Sequence, residues 1–418
     1  MYSEIFLMAW RNLWRRKRRT WITIATIVFG VWLSMTFTGI GDYSYTNMID
    51  TGANLGFGHV TIQPAGYHDE PKISKLISEL PEIKNNILEY SEKNHSAIDS
   101  TADRVLANGV LATASKQIFG FFVGVDPAQE SKQRNIYYKS MIEGDWLEST
   151  NERKVVIGKG IAELLNLKIG KKLIYTTTDI DGEIVSEVAR VKGIFRTGVK
   201  EIDNASIILP IDTLKETLKF KESQITLMAL FLNDQRKSSA VAQDIEALLN
   251  SKVEVKSWDQ TQAELASLIT LDRGGNILTQ MLIGLLVAAG ILNTLLMSVM
   301  ERLKEFGVMM AIGMLPSNLF LLVMIESFFL AMLGLFFGIM VCIPWYVYMA
   351  NVGLDFSAMV GDEMSAGGVL IDPLMKIRLY LSSIVIIALS VPGLTLLAGL
   401  YPAYKAVKTE PVESIRGL

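Results

Sequence analysis

Residues 277–300 read ILTQMLIGLLVAAGILNTLLMSVM, without one charged side chain. A helix that crosses the hydrocarbon core of a bilayer needs about 20 mainly apolar residues, so this stretch predicts a membrane span. The next thirteen, residues 301–313, read ERLKEFGVMMAIG. Charge is concentrated in Glu301, Arg302, Lys304 and Glu305, and apolar residues follow up to Gly313, with Pro316 just beyond. Glycine and then proline end helices, so a short amphipathic helix is expected between two spans. Three further stretches meet the span criterion: Trp21 to Ile40, Leu319 to Tyr348 with the single acid Glu326, and Leu379 to Tyr401. Apolar runs in the long middle, such as Ala205 to Ile211 and Ile225 to Leu232, are short and bounded by charge, and predict buried strands. The expected fold is a membrane protein: four transmembrane helices with a large mixed α+β extracytoplasmic domain between helices 1 and 2.

Composition agrees. Of 418 residues 50% are hydrophobic and 20% charged, against a usual charged share of about 25%, and mean hydropathy is +0.31. These values exclude a disordered chain and a nucleic-acid-binding tail protein. Cys342 is the sole cysteine, which rules out an internal disulfide, and three histidines make a structural zinc site a poor fit. The first span is longer than a signal-peptide core and lacks a clean cleavage site, so it reads as an uncleaved anchor.

Lysine and arginine in short loops mark the cytoplasmic side. They crowd the N-terminal segment (Arg11, Arg15, Arg16, Lys17, Arg18, Arg19), the connector (Arg302, Lys304) and the tail (Lys405, Lys408, Arg416). The loop before the fourth span opposes Lys376 with Asp355, Asp362, Glu363 and Asp372. The expected layout is a cytoplasmic interfacial helix at 1–20, spans at 21–41, 276–300, 319–348 and 377–401, and an extracytoplasmic domain at 42–275. A cytoplasmic helix at 301–318, a short extracytoplasmic loop at 349–376 and a cytoplasmic tail at 402–418 complete it.

Within 42–275 the patterning predicts a strand at Gly58 to Pro64 and a helix at Pro71 to Asn94. Two strands follow over Thr101 to Val125, the first turning at Asn108-Gly109. Later expectations are a strand at Val155 to Gly158, a helix at Gly160 to Leu167, and a hairpin of Leu173 to Thr178 with Glu183 to Phe195 about Asp181-Gly182. Strands at Ser206 to Pro210 and Ile225 to Leu232 precede helices at Ser238 to Asn250 and Thr261 to Leu271. The portion at about 141–198 is the most strand-rich and reads as a β-rich insertion.

Several features could carry function. Phe6, Ala9, Trp10, Leu13 and Trp14, with Arg11 and Arg15, form an amphipathic interfacial helix. The basic cluster Arg15 to Arg19 suits a topology anchor against anionic headgroups. Glu301, Arg302, Lys304, Glu305, Phe306 and Gly307 are the candidate docking residues of the connector, because a short amphipathic helix can seat in a partner's groove. Glu326 is an intramembrane acid, a functional candidate that most simply pairs with a neighbouring helix. Small residues recur at i, i+4: Gly30, Ser34 and Thr38; Gly284 and Ala288; Gly334 and Gly338. They make close-packing surfaces suited to a protomer that assembles with a second copy or a paralogue, and Pro392-Gly393 should kink the fourth span. His59, His68 and His95 share no metal-ligand spacing. Gly158-Lys159-Gly160 and Gly170-Lys171-Lys172 lack the spacing of a phosphate loop, so neither a catalytic constellation nor a nucleotide site is expected, and energy must come from a partner.

The whole chain resembles the permease subunits of type VII ABC transporters, the MacB, LolC/LolE and FtsX group. Three membrane-side motifs carry the resemblance: Ala9-Trp10-Arg11-Asn12-Leu13-Trp14-Arg15 with Arg18-Arg19-Thr20; Ile291 through Arg302 with Glu305-Phe306-Gly307-Val308-Met309 and Ala311-Ile312-Gly313; and Tyr401-Pro402-Ala403 with Glu410-Pro411-Val412-Glu413-Ser414-Ile415-Arg416. Val156 to Ala162 and Val191 to Gly198 are similar to the family's extracytoplasmic domain. The resemblance implies a bacterial inner-membrane protein that pairs with a second permease, identical or paralogous, and two cytoplasmic ATPase subunits. ATP and magnesium would sit in the ATPase, with no cofactor in this chain, and Glu301 to Gly313 would be the coupling helix. ATP binding would close the pair, and mechanotransmission through the stalks would act on cargo at the outer face of the membrane. MacB-like members often carry an N-terminal ATPase domain, and FtsX-like members have a smaller insert. The LolC/LolE arrangement therefore resembles this chain best, which implies lipoprotein release to a periplasmic carrier. Efflux with a periplasmic adaptor and a non-transporting transducer are the alternatives.

Overall fold

The computed structural model describes residues 2–94, 97–249, 251–356, 365–366, 369–370 and 374–408. The motif at 410–416, together with Asp362, Glu363, Asp372 and His95, lies outside the described residues.

The chain begins with helices α1 (Tyr2–Arg15) and α2 (Lys17–Gly52), then strand β1 (Val60–Pro64) and helix α3 (Leu80–Lys93). Strands β2 (Ile98–Ala112) and β3 (Gln117–Val125), helix α4 (Ile136–Lys139), strands β4 (Met141–Gly144) and β5 (Lys154–Gly158) and helix α5 (Lys159–Leu165) follow. Next come β6 (Lys172–Thr178), β7 (Ile184–Phe195), α6 (Lys200–Ala205), β8 (Ser206–Pro210), α7 (Ile211–Thr217), β9 (Leu227–Leu232), α8 (Ser238–Leu248) and β10 (Val253–Ser257). Helices α9 (Trp258–Thr261), α10 (Ala263–Met300), α11 (Leu303–Ala311), α12 (Pro316–Asn351) and α13 (Leu381–Val407) complete the chain. Four of these helices are long and apolar enough to cross a membrane; they contain the first three predicted stretches whole and the fourth from Leu381 onward. The chain divides into two compact units, residues 1–44, 271–355 and 374–418 in one and 45–270 with 356–373 in the other.

The second unit is built on a ten-stranded sheet in the order β10-β1-β9-β2-β3-β8-β5-β7-β4, with β6 pairing both β2 and β7. Most pairs are antiparallel, whereas β3 with β8 and β5 with β7 are parallel. Strand β2 organises it. Along one edge its N-terminal part pairs with β9 and residues 109–112 pair with β6, while β3 runs along the other edge. Two cores result. One gathers Val60, Ile62, Met228 and Leu230 beneath Ile83, Ile87, Val241 and Ile245 of α3 and α8. The other gathers Leu111, Phe122, Ile157, Tyr175 and Ile207 with Ile161 of α5 and Leu214 of α7.

Two local expectations are corrected here. Asn108-Gly109 is not a turn; it lies mid-strand in β2, where the Asn108 carbonyl accepts from Thr177 Oγ1 at 2.8 Å. Gly109 is needed for close approach, since a Cβ there would sit 2.0 Å from the Thr176 carbonyl oxygen. The helix expected from Pro71 starts only at Leu80. Residues before it hold Ile77 in a bridge to Ile225, so burial of Ile77 overrides local helix propensity. The strand-rich segment at 141–198 supplies β4, β5, β6 and β7 to this same sheet and forms no sheet of its own. The β6–β7 hairpin is present with Gly182 at φ +85.

Helix α2 hands over to β1 through a π-helical turn, Ala53–Phe57, where Gly56 takes φ +117. Only glycine reaches such angles at little cost. Just past the turn, a Cβ on Gly58 would meet the Leu230 backbone at 2.7 Å. His59 pins the handover. Its Nδ1 accepts the Leu232 N–H at 2.9 Å, which leaves Nε2 to carry the proton and donate to Asp50 Oδ1 at 2.9 Å. The C-terminal end of α2 lies against the start of α10 through Tyr45, Ile49, Leu265 and Ile269.

In the first unit the spanning helices pack through small residues. Ile27 of α2 fills the space over Gly334 and Val31 that over Gly338, both on α12. Val287 of α10 presses on Gly30. Helix α13 is continuous through both Pro392 and Pro402.

Candidate functional site

The connector after α10 is a built corner. Glu301 and Arg302 turn the chain, α11 runs to Ala311, and Gly313 at φ +106 reverses it before Pro316 opens α12. A glycine with positive φ just past a helix is the common stop, and proline fits a helix's first turn. The predicted helix within 301–318 is therefore present over Leu303–Ala311.

Phe306 anchors this corner. It is fully buried with Ile5 and Ala9 of α1, Val299 of α10, Leu319, Leu322 and Val323 of α12, and Ala403 and Ala406 of α13. Arg302 is the second anchor. Its Nη1 donates to both carboxylate oxygens of Glu326 at 3.0 Å, its Nε reaches Glu305 Oε2 at 3.4 Å, and its guanidinium lies 4.9 Å from the Phe306 ring centroid. Asn12 of α1 donates from Nδ2 to Glu326 Oε1 at 2.8 Å. The intramembrane acid thus joins α1, the connector and α12 in one polar knot. A charge in an apolar bundle persists when it is paired and hydrogen-bonded in this way. Around the knot, Glu301 forms ion pairs with Arg16 and Arg19, and Glu305 with Arg15. Those outer pairs are solvent-accessible and contribute little each.

The six residues expected to dock on a partner divide accordingly. Glu301 and Lys304 are exposed and Glu305 is half-buried, whereas Arg302, Phe306 and Gly307 are buried inside the chain. As a correction, these last three position the helix and offer no docking surface. The outward surface holds Lys304, Val308, Ile312 and Leu315, with Ile312 82% exposed. Val308 and Ile312 lie within the expected coupling helix Glu301 to Gly313 but not among the six residues singled out, and Leu315 lies beyond it. The available signal was spacing: Lys304, Val308 and Ile312 recur every four residues and so share one helix face.

The small-residue stripe is also reassigned. A Cβ on Gly30 would meet Val287 at 2.8 Å. Ser34 Oγ donates to Gln280 Oε1 at 2.9 Å, and Gln280 Nε2 donates to Thr38 Oγ1 at 3.1 Å. Gly284 faces Leu394 at 3.3 Å. Gly30, Ser34, Thr38 and Gly284 therefore make contacts among α2, α10 and α13 within one chain; Ser34, Thr38, Gly284 and Ala288 are half-buried. What the bundle does expose is apolar: Leu278, Met281, Leu282, Leu285 and Leu286 on α10 and Ile386, Leu389 and Leu397 on α13. On α1 the buried face is Ile5, Ala9 and Leu13, while Phe6 and Trp10 meet Phe329 edge-on with centroids 4.6 and 5.2 Å away.

Comparison with known proteins agrees with this architecture. Residues 20–248 match the MacB-like periplasmic core domain, and residues 278–411 match the FtsX-like permease C-terminal family. The chain belongs to this family of MacB-like and FtsX-like ABC transporter permeases, membrane subunits of the type VII class. An uncharacterised ABC transporter permease of Methanocaldococcus jannaschii is 25% identical over 99% of this chain and 98% of its own. The lipoprotein-releasing system transmembrane protein LolC of Neisseria meningitidis is 23% identical over 79% of this chain and 81% of its own. The macrolide export ATP-binding/permease protein MacB of Psychrobacter arcticus is 22% identical over 99% of this chain, which spans 59% of that protein.

Proposed function

We propose that this permease subunit converts ATP hydrolysis in a separate cytoplasmic ATPase into extraction of lipoproteins from the membrane, by mechanotransmission rather than conduction through a pore. The connector is the observation that carries it. Its outward face, Val308, Ile312 and Leu315, is apolar and exposed, as a groove-seated helix requires. Its inward face is locked by Phe306 and by Arg302 on Glu326, so a push on α11 is delivered to α1 and α12 rather than absorbed. Helices α2 and α10 are each one uninterrupted helix, of about 54 and 57 Å at 1.5 Å per residue. Both exceed the roughly 30 Å hydrocarbon core, as rods that carry motion beyond the bilayer must.

In this reading the termini and connector are cytoplasmic and the ten-stranded domain periplasmic. The working assembly holds two ATPase copies, with ATP and magnesium in them, and a second permease. A periplasmic carrier takes the cargo. Lipoprotein as cargo is supported by the likeness to LolC and LolE proteins. Efflux of a small molecule is the second reading, favoured by the macrolide-export relatives that match across 99% of this chain. Purification of the native complex in mild detergent, followed by proteoliposome reconstitution, tests both. ATP-dependent release of a co-purified triacylated protein is expected. ATP-dependent macrolide movement without lipoprotein release would replace the first reading with the second, and a complex without any ATPase would refute both.

A further inference from the structure

At the basic end of the bundle, α1, α2, α10 and α12 enclose a cavity of about 230 Å³ lined by Arg15, Arg16, Arg19, Arg302, Glu305 and Glu326. Four guanidinium groups face two carboxylates there, and the third nearby acid, Glu301, is engaged by Arg16 and Arg19. The cations outnumber the acids even after every pair is counted. Arg302 Nη2 and Arg19 Nη1 are buried and have no hydrogen-bond partner among the described residues, and Arg302 is only 6% exposed. Buried guanidinium nitrogens are normally satisfied, so two such donors in the lining of one cavity call for an acceptor with several oxygens. The hydroxyls of Thr20, Thr23 and Thr294, which share the lining, already donate to helix carbonyls.

A second observation sets the kind of anion. Arg16, Arg19 and Thr294 also border an adjoining open groove between α2 and α10, where Ile22 and Met297 are about half exposed. A cationic cavity beside an apolar groove, at the level where the basic cluster precedes the first span, matches a phosphate joined to acyl chains.

We propose that this cavity binds the phosphate of an anionic phospholipid, held by Arg19 and Arg302, with an acyl chain along Ile22 and Met297. The lipid bridges α2 to the connector, and so ties the corner described above to the surrounding leaflet. Native mass spectrometry of the full chain in detergent, titrated with phosphatidylglycerol or with phosphatidylcholine of the same chains, tests this. Phosphatidylglycerol should be retained preferentially. Arg19→Gln, and Arg302→Lys, which keeps a cation against Glu326, should each weaken that retention about fivefold, whereas Arg11→Gln, exposed and outside the cavity, should leave it unchanged. Equal retention of the two lipids would overturn the proposal. So would an equal loss in Arg11→Gln, which would mean diffuse surface charge. Displacement of phosphatidylglycerol by millimolar inorganic phosphate would overturn the lipid assignment in favour of a free anion.

Discussion

Removing Arg302 should destabilise the bundle far more than removing Arg302 and Glu326 together. Arg302 Nη1 sits 3.0 Å from both oxygens of Glu326, and the two side chains are 8% and 13% exposed. In Arg302→Leu the carboxylate keeps Asn12 as a donor at 2.8 Å but loses its neutralising charge. Breaking a buried pair on one side costs about 3–5 kcal/mol, while replacing both partners by apolar groups is often near neutral. The single variant should therefore shift the unfolding equilibrium by two to three and a half orders of magnitude, at about 1.4 kcal/mol per decade. Arg302→Leu/Glu326→Leu should recover most of that loss. Denaturant unfolding in detergent micelles, run as a double-mutant cycle, measures both quantities. A single variant within about 0.5 kcal/mol of the parent, or a double variant whose loss equals the sum of the singles, would refute the view that this pair holds the connector.

Ile312→Glu should leave bundle stability unchanged, since the side chain is 82% exposed, yet lower capture of the ATPase at least tenfold in a pull-down, as loss of an interface anchor does. Phe306→Ala should do the reverse at first, costing about 3–5 kcal/mol in unfolding through an unfilled core site. Gly30→Leu and Gly334→Leu should each cost about 1–3 kcal/mol by overpacking against Val287 and Ile27, and oligomeric state in detergent should not be the first property to change. The Lys219 ammonium, 2.7 Å from Asp179, holds that carboxyl below the usual carboxylate range. A depressed folded pKa means that the contribution is present near neutrality and lost as pH falls through the acid range. Asp179→Asn should therefore flatten the acid limb of a stability–pH profile of the full chain.

The spans were legible because a bilayer demands long uncharged runs, and four stretches meet that demand with little competition. Strand positions such as β5, β6, β7 and β8 were legible for a related reason, as short apolar or alternating runs bounded by charge. Pairing was not. Asn108-Gly109 carries a hairpin signal, yet the same dipeptide fits a strand that must let a neighbouring backbone within contact distance. Only the position of Thr176, far along the chain, distinguishes the two. Small residues at i, i+4 announce close packing but not the partner, and the partner proved to be Val287 and Gln280 of the same chain. In the connector, an aromatic residue among charges looked like a contact for another protein. Its burial by Ile5 and Ala9 depends on α1 folding back, which no local pattern encodes.

The pairing of β1 has a consequence for how the protein is made. Val60 lies in register with Leu230 on one edge and with Ser257 on the other, and β2 likewise waits for β9. The sheet thus cannot close until nearly the whole insert has been synthesised and delivered to the same side of the bilayer. During that interval Val60 and Ile62, each wholly buried at the end, stand unpaired beside an anchored first helix. Late, non-local strand pairing is slow and exposes sticky edges. The biogenesis of this chain is therefore paced by delivery of its last strands, β9 and β10.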